Sequence, residues 1–194
     1  MSSEEMTAEA ERHRRYAARF AEVVSGVTDW GAPTPVKEWA ARDVVAHLID
    51  WFPGFLEAGT GIVLPAVPSP DADPAGAWDA RRADVQALLD DPDTAGGSYR
   101  SRMFGELTVA EAIDRFYTTD IFMHTWDLAR SAGLDDTLDE GVCTEMLAGM
   151  EQMSEVIRSS GQFGDQQDVP AESSAQQRLI AFIGRDPLWR PESG

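Results

Sequence analysis

The sequence predicts an all-α protein, a bundle of four main helices with accessory helices and long loops. Three observations lead to this prediction. Apolar residues recur at spacings of three and four along most of the chain, the period of amphipathic helices. Clusters of proline and glycine separate those stretches, as expected for connecting loops. The chain has 194 residues with 43% hydrophobic content, enough for one domain, residues 1–194, with its own core.

Three helices are predicted in the first half of the chain. The first covers residues 3–27 and is followed by a loop at 28–37, TDWGAPTPVK. The second begins near Ala40, and its inward stripe consists of Val44, His47, Leu48, Trp51, Phe52 and Phe55. Pro53 is expected to kink or end this helix. Residues 59–74 contain four prolines and form a long loop, which we expect near the open side of a functional site. The third helix covers residues 75–90.

The second half begins with an irregular connection, with one short strand pair around residues 99–103. Thr108 and Glu111 form a T-x-x-E capping box, which starts a fourth helix that runs to Ser131 and ends at Gly133. A fifth helix is predicted at 139–159. The last helix, at 173–183, is closed by Gly184 and Pro187.

Composition excludes several classes of function. The net charge is −18, and without a basic stripe this charge repels nucleic acid and anionic membranes. No apolar run reaches the ~20 residues of a membrane span, and the N-terminus has no hydrophobic segment of signal-peptide type. The only cysteine, Cys143, cannot form an internal disulfide, so a cytoplasmic location is expected, with Cys143 as a small packed residue.

Two predicted core-facing stripes carry polar side chains. Asp120 and His124 are one helical turn apart on the fourth helix, and His47 lies between apolar residues on the second. An ionised carboxylate in a core costs several kcal/mol unless it is paired or bound to a metal. Two imidazoles and one carboxylate suit zinc, nickel or ferrous iron and leave coordination positions open. The three residues are therefore candidate metal ligands.

The same residues also have structural interpretations, which the spacing leaves open. Asp120 and His124 can form an intrahelical ion pair, and His47 can be a core histidine that donates to a backbone carbonyl. Asp127, three residues after His124, is either a competing ligand or, as we prefer, a partner that orients the imidazole. His13 stands among charged residues (ERHRR) and is expected at the surface.

Three segments of the chain resemble a known family. They are DWGAPTPVKEWAARDVVAHLIDW at 29–51, DIFMHTWDLARSAG at 120–133 and AQQRLIAFIGRDPLW at 175–189. Together they are similar to DinB-like metal-binding helical proteins related to the N-terminal domain of mycothiol-dependent maleylpyruvate isomerase. The stand-alone branch of that family ends in a similar R-L-x-A-x-x-G-R-D-P segment. The resemblance implies a DinB-like four-helix bundle and covers almost the whole chain.

The resemblance also implies a metal site and a chemistry. The first histidine of the family falls on His47, and its acid and second histidine fall on Asp120 and His124. The metal, usually zinc or nickel, activates the sulfur of a low-molecular-weight thiol, with mycothiol as the candidate co-substrate. Only Lys37 among the 16 basic residues is lysine, a bias typical of GC-rich coding and compatible with an organism that makes mycothiol.

Three departures from the family pattern limit what is expected. The P-T-P-C segment reads P-T-P-V, so Val36 replaces the cysteine. Aspartate replaces glutamate at position 120, which shortens the reach to a metal by one methylene. The isomerase carries a second, C-terminal domain, for which this chain is expected to have no room. Maleylpyruvate isomerisation itself is therefore not predicted.

The sequence thus leaves three functional hypotheses. The first is a divalent-metal-binding protein that acts as a thiol transferase or isomerase on a small electrophile. The second is a non-catalytic bundle that binds a small ligand or dimerises, with Asp120 and His124 as a buried ion pair. The third is a metal-dependent hydrolase with Asp127 as general base. A homodimer is a candidate assembly for such a bundle, by analogy. No catalytic residue is assigned.

Overall fold

The computed structural model describes residues 7–101, 105–152, 154 and 163–191. These residues are mainly helical, with one short antiparallel hairpin, so the all-α prediction is confirmed. In chain order the elements are α1 (Ala8–Gly26), α2 (Ala41–Thr60), α3 (Pro74–Asp90), α4 (Pro92–Ala95), β1 (Ser98–Ser101), β2 (Gly105–Thr108), α5 (Val109–Ala112), a π-helical segment (Ile113–Thr118), α6 (Thr119–Ala132), α7 (Glu140–Gln152) and α8 (Ala175–Phe182).

Four long helices form the bundle. Helix α1 packs against α3 and α6, and α2 packs against the same two helices, so the four enclose one core. Helices α7 and α8 pack against each other and contribute buried residues such as Leu147 and Leu179 to that core. The four-helix bundle with accessory helices is therefore confirmed. None of the described helices is long and apolar enough to cross a membrane.

Local signals in the sequence set the ends of several helices. Thr108 accepts a hydrogen bond from the Glu111 amide, and the Glu111 side chain accepts one from the Thr108 amide, which is the predicted capping box. Gly133 ends α6 in the left-handed conformation, with φ of 65°. The long connection between α2 and α3 is also present and has no regular structure between residues 61 and 73.

The π-helical segment was not predicted. It directly precedes α6, and the amide of Thr119 donates to the carbonyl of Asp114, five residues earlier. Inside this segment, the buried Tyr117 donates its hydroxyl to the carbonyl of Leu48 on α2 and stacks on Phe52 at a ring distance of 4.0 Å. The segment thus ties the start of α6 to the middle of α2, which are the two helices that carry the candidate ligands.

One sequence expectation is wrong and another is narrowed. Pro53 does not end α2, because the helix continues to Thr60, so a kink at Pro53 stays a prediction. His13 is not at the surface: it is fully buried, and its Nδ1 lies 2.8 Å from the side-chain oxygen of Gln86 on α3. The reason is that α1 has neighbours on two sides, so a row of Ala10, His13 and Ala17 faces the interior although charged residues flank His13 in sequence. Burial lowers the pKa of His13 to about 4.

Parts of three predicted elements lie outside the described residues. These are residues 3–6 of the first helix, residues 102 and 103 of the strand pair, and residues 153 and 155–159 of the fifth helix. The strand pair itself is present, with Ser98 opposite Thr108 and Ser101 opposite Gly105.

Candidate metal centre

Helices α2 and α6 bring the three predicted ligands together. His47 comes from α2, and Asp120 and His124 come from successive turns of α6. One ligand atom from each residue lies within 4.8 Å of the other two. Among the described residues, no other group of three histidine, cysteine or acidic side chains brings its ligand atoms this close together. The structure therefore assembles the set that the sequence singled out.

The atoms that converge are suitable donors for a metal. The Nε2 of His47 lies 3.0 Å from Oδ2 of Asp120, and the Nε2 of His124 lies 3.4 Å from Oδ1. The two imidazole rings stand edge to face, with centroids 4.8 Å apart. In a tetrahedral site with bonds of about 2.0–2.2 Å, two ligand atoms are about 3.3 Å apart. The separations from Asp120 to the two imidazoles, each measured to a different carboxylate oxygen, are close to this value, so the donor set is compatible with a divalent cation.

The indole of Trp51 fixes the carboxylate of Asp120. Trp51 lies one turn after His47 on α2, and its Nε1 donates to Oδ2 of Asp120 at 3.0 Å. Burial alone would raise the pKa of Asp120, but the adjacent imidazoles of His124 and His47 and the indole N–H together keep that pKa below its ordinary value. Asp120 is therefore an ionised acceptor at neutral pH.

His124 is held from its other edge by Asp127. The Nδ1 of His124 lies 2.9 Å from Oδ2 of Asp127, on the side of the ring opposite to the cluster. The Asp127 side chain is only 1% exposed and is paired with Arg185, whose Nη2 donates to Oδ2 at 3.1 Å and whose Nε donates to Oδ1 at 3.3 Å. Burial raises the pKa of Asp127, whereas Arg185 and the hydrogen bond with His124 lower it, and the net shift is downward.

The cluster is reached from the side of His47. The exposed fraction of the side chain falls from 31% at His47 to 18% at Asp120 and 5% at His124. Trp39, which is half-buried, lies over the imidazoles, with its ring 5.0 Å from that of His47 and 5.7 Å from that of His124. Residues 61–73 pack partly on the core through Ile62, Leu64 and Val67, and their position over the open side stays a prediction.

Sequence reasoning missed two of the groups around the cluster. Trp51 is four residues after His47, a spacing that could have revealed it as a donor toward the same face. Arg185 contacts Asp127 across 58 residues of sequence, and no local periodicity connects them. Cys143, as expected, is a packed residue: it is fully buried on α7, and burial raises the pKa of its thiol to about 12.

The fold and this cluster define a class, a helical bundle with a candidate metal centre between two helices. The family described as the mycothiol maleylpyruvate isomerase N-terminal domain matches residues 12–129, which include all three candidate ligands. The chain belongs to this family. The resemblance inferred from the three sequence segments is thus confirmed.

The curated relatives are mycobacterial. A protein of Mycobacterium tuberculosis described as uncharacterized, found in two strains, is 29% identical over 181 residues, which cover 89% of this chain and 95% of the relative. No solved structure matches the chain significantly.

Proposed function

We propose that this protein binds one divalent metal through His47, Asp120 and His124 and uses it to transfer a low-molecular-weight thiol to a small electrophile. Zinc and nickel are the metals we expect, since both accept two imidazoles and a carboxylate. The description of the family supports a thiol of the mycothiol type.

The hydrogen-bond pattern around His124 is the observation that carries the proposal. Asp127 accepts two hydrogen bonds from Arg185 and has no proton to give, so the Nδ1 of His124 must be the donor between them. The other ring nitrogen, Nε2, faces a carboxylate oxygen of Asp120 at 3.4 Å. A histidine that binds a metal through Nε2 keeps its proton on Nδ1 and donates it to a partner such as Asp127. A divalent metal satisfies both atoms and also accepts the Nε2 of His47.

The residues of this chain prepare the site in three ways. Trp51 holds one oxygen of Asp120, which restrains the rotation of the carboxylate. Trp39 shields the two imidazoles and gives the entrance an apolar wall suited to a small apolar electrophile. Three protein ligands leave positions for the thiol. A divalent metal held there would supply Lewis acidity that lowers the pKa of a bound thiol, so that the thiolate attacks the electrophile.

The alternative function is a non-catalytic bundle that binds a small ligand or dimerises. One observation favours it: the separation of 3.0 Å between His47 and Asp120 is also that of an ordinary hydrogen bond. In this case His124 carries protons on both nitrogens and forms a buried ion pair with Asp120. A hydrolase with Asp127 as general base has less support, because Asp127 is 1% exposed and both its oxygens accept from Arg185.

Metal content separates the first two functions. The protein is purified without a histidine tag, and bound zinc, nickel and iron are quantified before and after reconstitution of the metal-free form. We expect about one equivalent in the wild type and a loss of at least tenfold in affinity for His124→Ala. The matched control is His13→Ala, which deletes another buried imidazole on α1 and should leave the stoichiometry unchanged.

Absence of bound metal in the wild type after reconstitution would contradict the metal site. It would support the non-catalytic bundle in which Asp120 and His124 form a buried ion pair. If metal binds, the loaded protein is assayed with a panel of electrophiles in the presence of mycothiol, of another low-molecular-weight thiol, or of neither. Consumption of thiol that depends on both the metal and His124 supports transfer. Consumption that is equal with and without metal contradicts it.

We also propose that residues 1–194 form one domain that acts in the cytoplasm as a homodimer and has no affinity for nucleic acid. The shared core of the bundle with α7 and α8 supports one domain, and the net charge of −18 argues against nucleic acid. Light scattering coupled to size-exclusion chromatography tests the dimer, for which a mass near 21.2 kDa would be the contradicting result.

A further inference from the structure

The residues that follow α8 extend the candidate metal centre. We propose that Arg185 is a positioning residue that fixes the orientation of His124 through Asp127. The relevance of this role for metal affinity rests on the function proposed above. The role itself concerns the orientation of His124 and can be measured without metal.

The end of α8 directs Arg185 toward α6. Gly184 terminates the helix in the left-handed conformation, with φ of 87°. Its amide donates to the carbonyl of Ala181 at 3.1 Å, and the amide of Arg185 donates to the carbonyl of Ile180 at 3.0 Å. This pair of bonds is a Schellman motif, which reverses the chain directly after a helix. A Cβ added to Gly184 would lie 2.5 Å from backbone atoms of Gly164, so only glycine fits the turn.

The guanidinium is fixed at three points. Two of its nitrogens donate to the two oxygens of Asp127, at 3.3 and 3.1 Å, and Nη1 donates to the carbonyl of Ile183 at 2.9 Å. A guanidinium that binds both oxygens of a carboxylate determines the plane of that carboxylate. Asp127 Oδ2 is thereby placed 2.9 Å from the Nδ1 of His124. Arg185 does not touch the three candidate ligands, and its influence on them passes through Asp127.

Burial makes Asp127 depend on Arg185. The Asp127 side chain is 1% exposed, so water cannot replace the arginine as a partner. A buried carboxylate that loses its cation is strongly destabilised and leaves its position. His124 would then lose the acceptor that holds its Nδ1–H and keeps its Nε2 directed toward Asp120. Partners of this kind typically change metal affinity by about 10- to 100-fold.

The Nδ1–H of His124 gives a direct test in the metal-free protein. Nitrogen-15 NMR of the imidazole reports the proton on Nδ1 and its hydrogen bond, and the signal is assigned with His124→Ala. We expect an Nδ1–H bonded to Asp127 in the wild type, whether or not Nε2 also carries a proton, and a changed Nδ1 signal in Arg185→Met. Arg178→Met is the matched control, because Arg178 is an exposed arginine on α8, and it should keep the wild-type signal. An unchanged His124 signal in Arg185→Met would overturn the inference.

Metal affinity provides the second readout. Competition with a chromophoric chelator should show binding about 10- to 100-fold weaker for Arg185→Met than for the wild type. Arg185→Lys keeps the charge without the two-point contact, so its metal affinity should lie between those of the wild type and Arg185→Met. This variant replaces Arg185→Met in the comparison if the methionine variant does not fold. In an Asp127→Asn background, Arg185→Met should have little further effect on affinity.

The outcomes separate the two proposals. Wild-type protein that binds no metal but shows an Nδ1 signal that depends on Arg185 contradicts the proposed function alone. Metal binding that Arg185→Met and Arg185→Lys leave within twofold of the wild type contradicts the positioning role alone. A reduction of equal size in Arg178→Met also contradicts it, because the effect would then reflect loss of any positive charge on α8.

Discussion

Replacing Asp127 with asparagine removes a buried charge while it keeps the shape of the side chain. The carboxylate is 1% exposed and is the partner of both Arg185 and His124. Because the net effect of its surroundings is to lower the pKa of Asp127, the charged form contributes its full stabilisation at pH 7. Asp127→Asn therefore leaves the guanidinium of Arg185, which is 12% exposed, without its counter-charge.

The expected cost follows from burial. Breaking a buried ion pair by removing one partner costs about 3–5 kcal/mol. The remaining exposure of Arg185 and the hydrogen bonds that asparagine can still form reduce this to about 2–4 kcal/mol. For a chain of this size each kcal/mol corresponds to about 2–4 °C, so the melting temperature should fall by about 5–15 °C.

Urea unfolding of the metal-free protein at pH 7, followed by circular dichroism, measures this change. Asp50→Asn, at an exposed position on α2, is the control and should stay within about 0.5 kcal/mol of the wild type. A loss below about 1 kcal/mol in Asp127→Asn, or an equal loss in the control, would refute the conclusion that Asp127 and Arg185 form a strongly coupled buried pair.

Three further predictions concern other residues. Burial lowers the pKa of His13 to about 4, so the unfolded chain binds a proton between that value and 6.5 that the folded chain does not, and stability should fall by about 2 kcal/mol from pH 7 to pH 5 through this group. The fall should be smaller in His13→Gln, measured by urea unfolding at both pH values. Trp51→Phe keeps the ring but removes the donor to Asp120, so metal affinity should weaken by about tenfold in chelator competition. Asp120→Glu restores the acid of the family and should retain about one equivalent of metal in elemental analysis, whereas Asp120→Asn should lose it; equal metal content in the two variants would contradict a ligand role for the carboxylate.

Helix ends and inward faces could be predicted because their causes are local. The Thr108 and Glu111 side chains bond to each other's amides, and Gly133 adopts a conformation that other residues avoid, so both act within a few residues of sequence. His47, Asp120 and His124 could be singled out as candidates for the same reason, since each interrupts an apolar stripe of its own helix. Their convergence required only that α2 and α6 pack against each other.

What could not be predicted depends on packing between distant segments. His13 has charged neighbours in sequence, but the residues three or four positions away on the same helix face are buried: Ala10, Tyr16 and Ala17. The position of α3, which contributes Gln86, decides the environment of His13. The π-helical segment contains Tyr117, whose hydroxyl donates to the carbonyl of Leu48, 69 residues away. Arg185 likewise meets Asp127 only after the residues that follow α8 have reached α6. In each case the contact joins elements with no common sequence pattern.

The two inward-facing acids of α6 differ in the source of their counter-charge. Asp127 is paired with Arg185, whose guanidinium is charged at every pH the protein meets, so this site is neutralised within the chain. Asp120 is surrounded by the indole N–H of Trp51 and by two imidazoles, which supply positive charge only when they are protonated. Asp127 holds the Nδ1 edge of His124, which leaves Nε2 of the same ring directed toward Asp120. The same helix thus contains one acid paired with a guanidinium and one acid whose neighbours are the other donor atoms of the candidate metal centre.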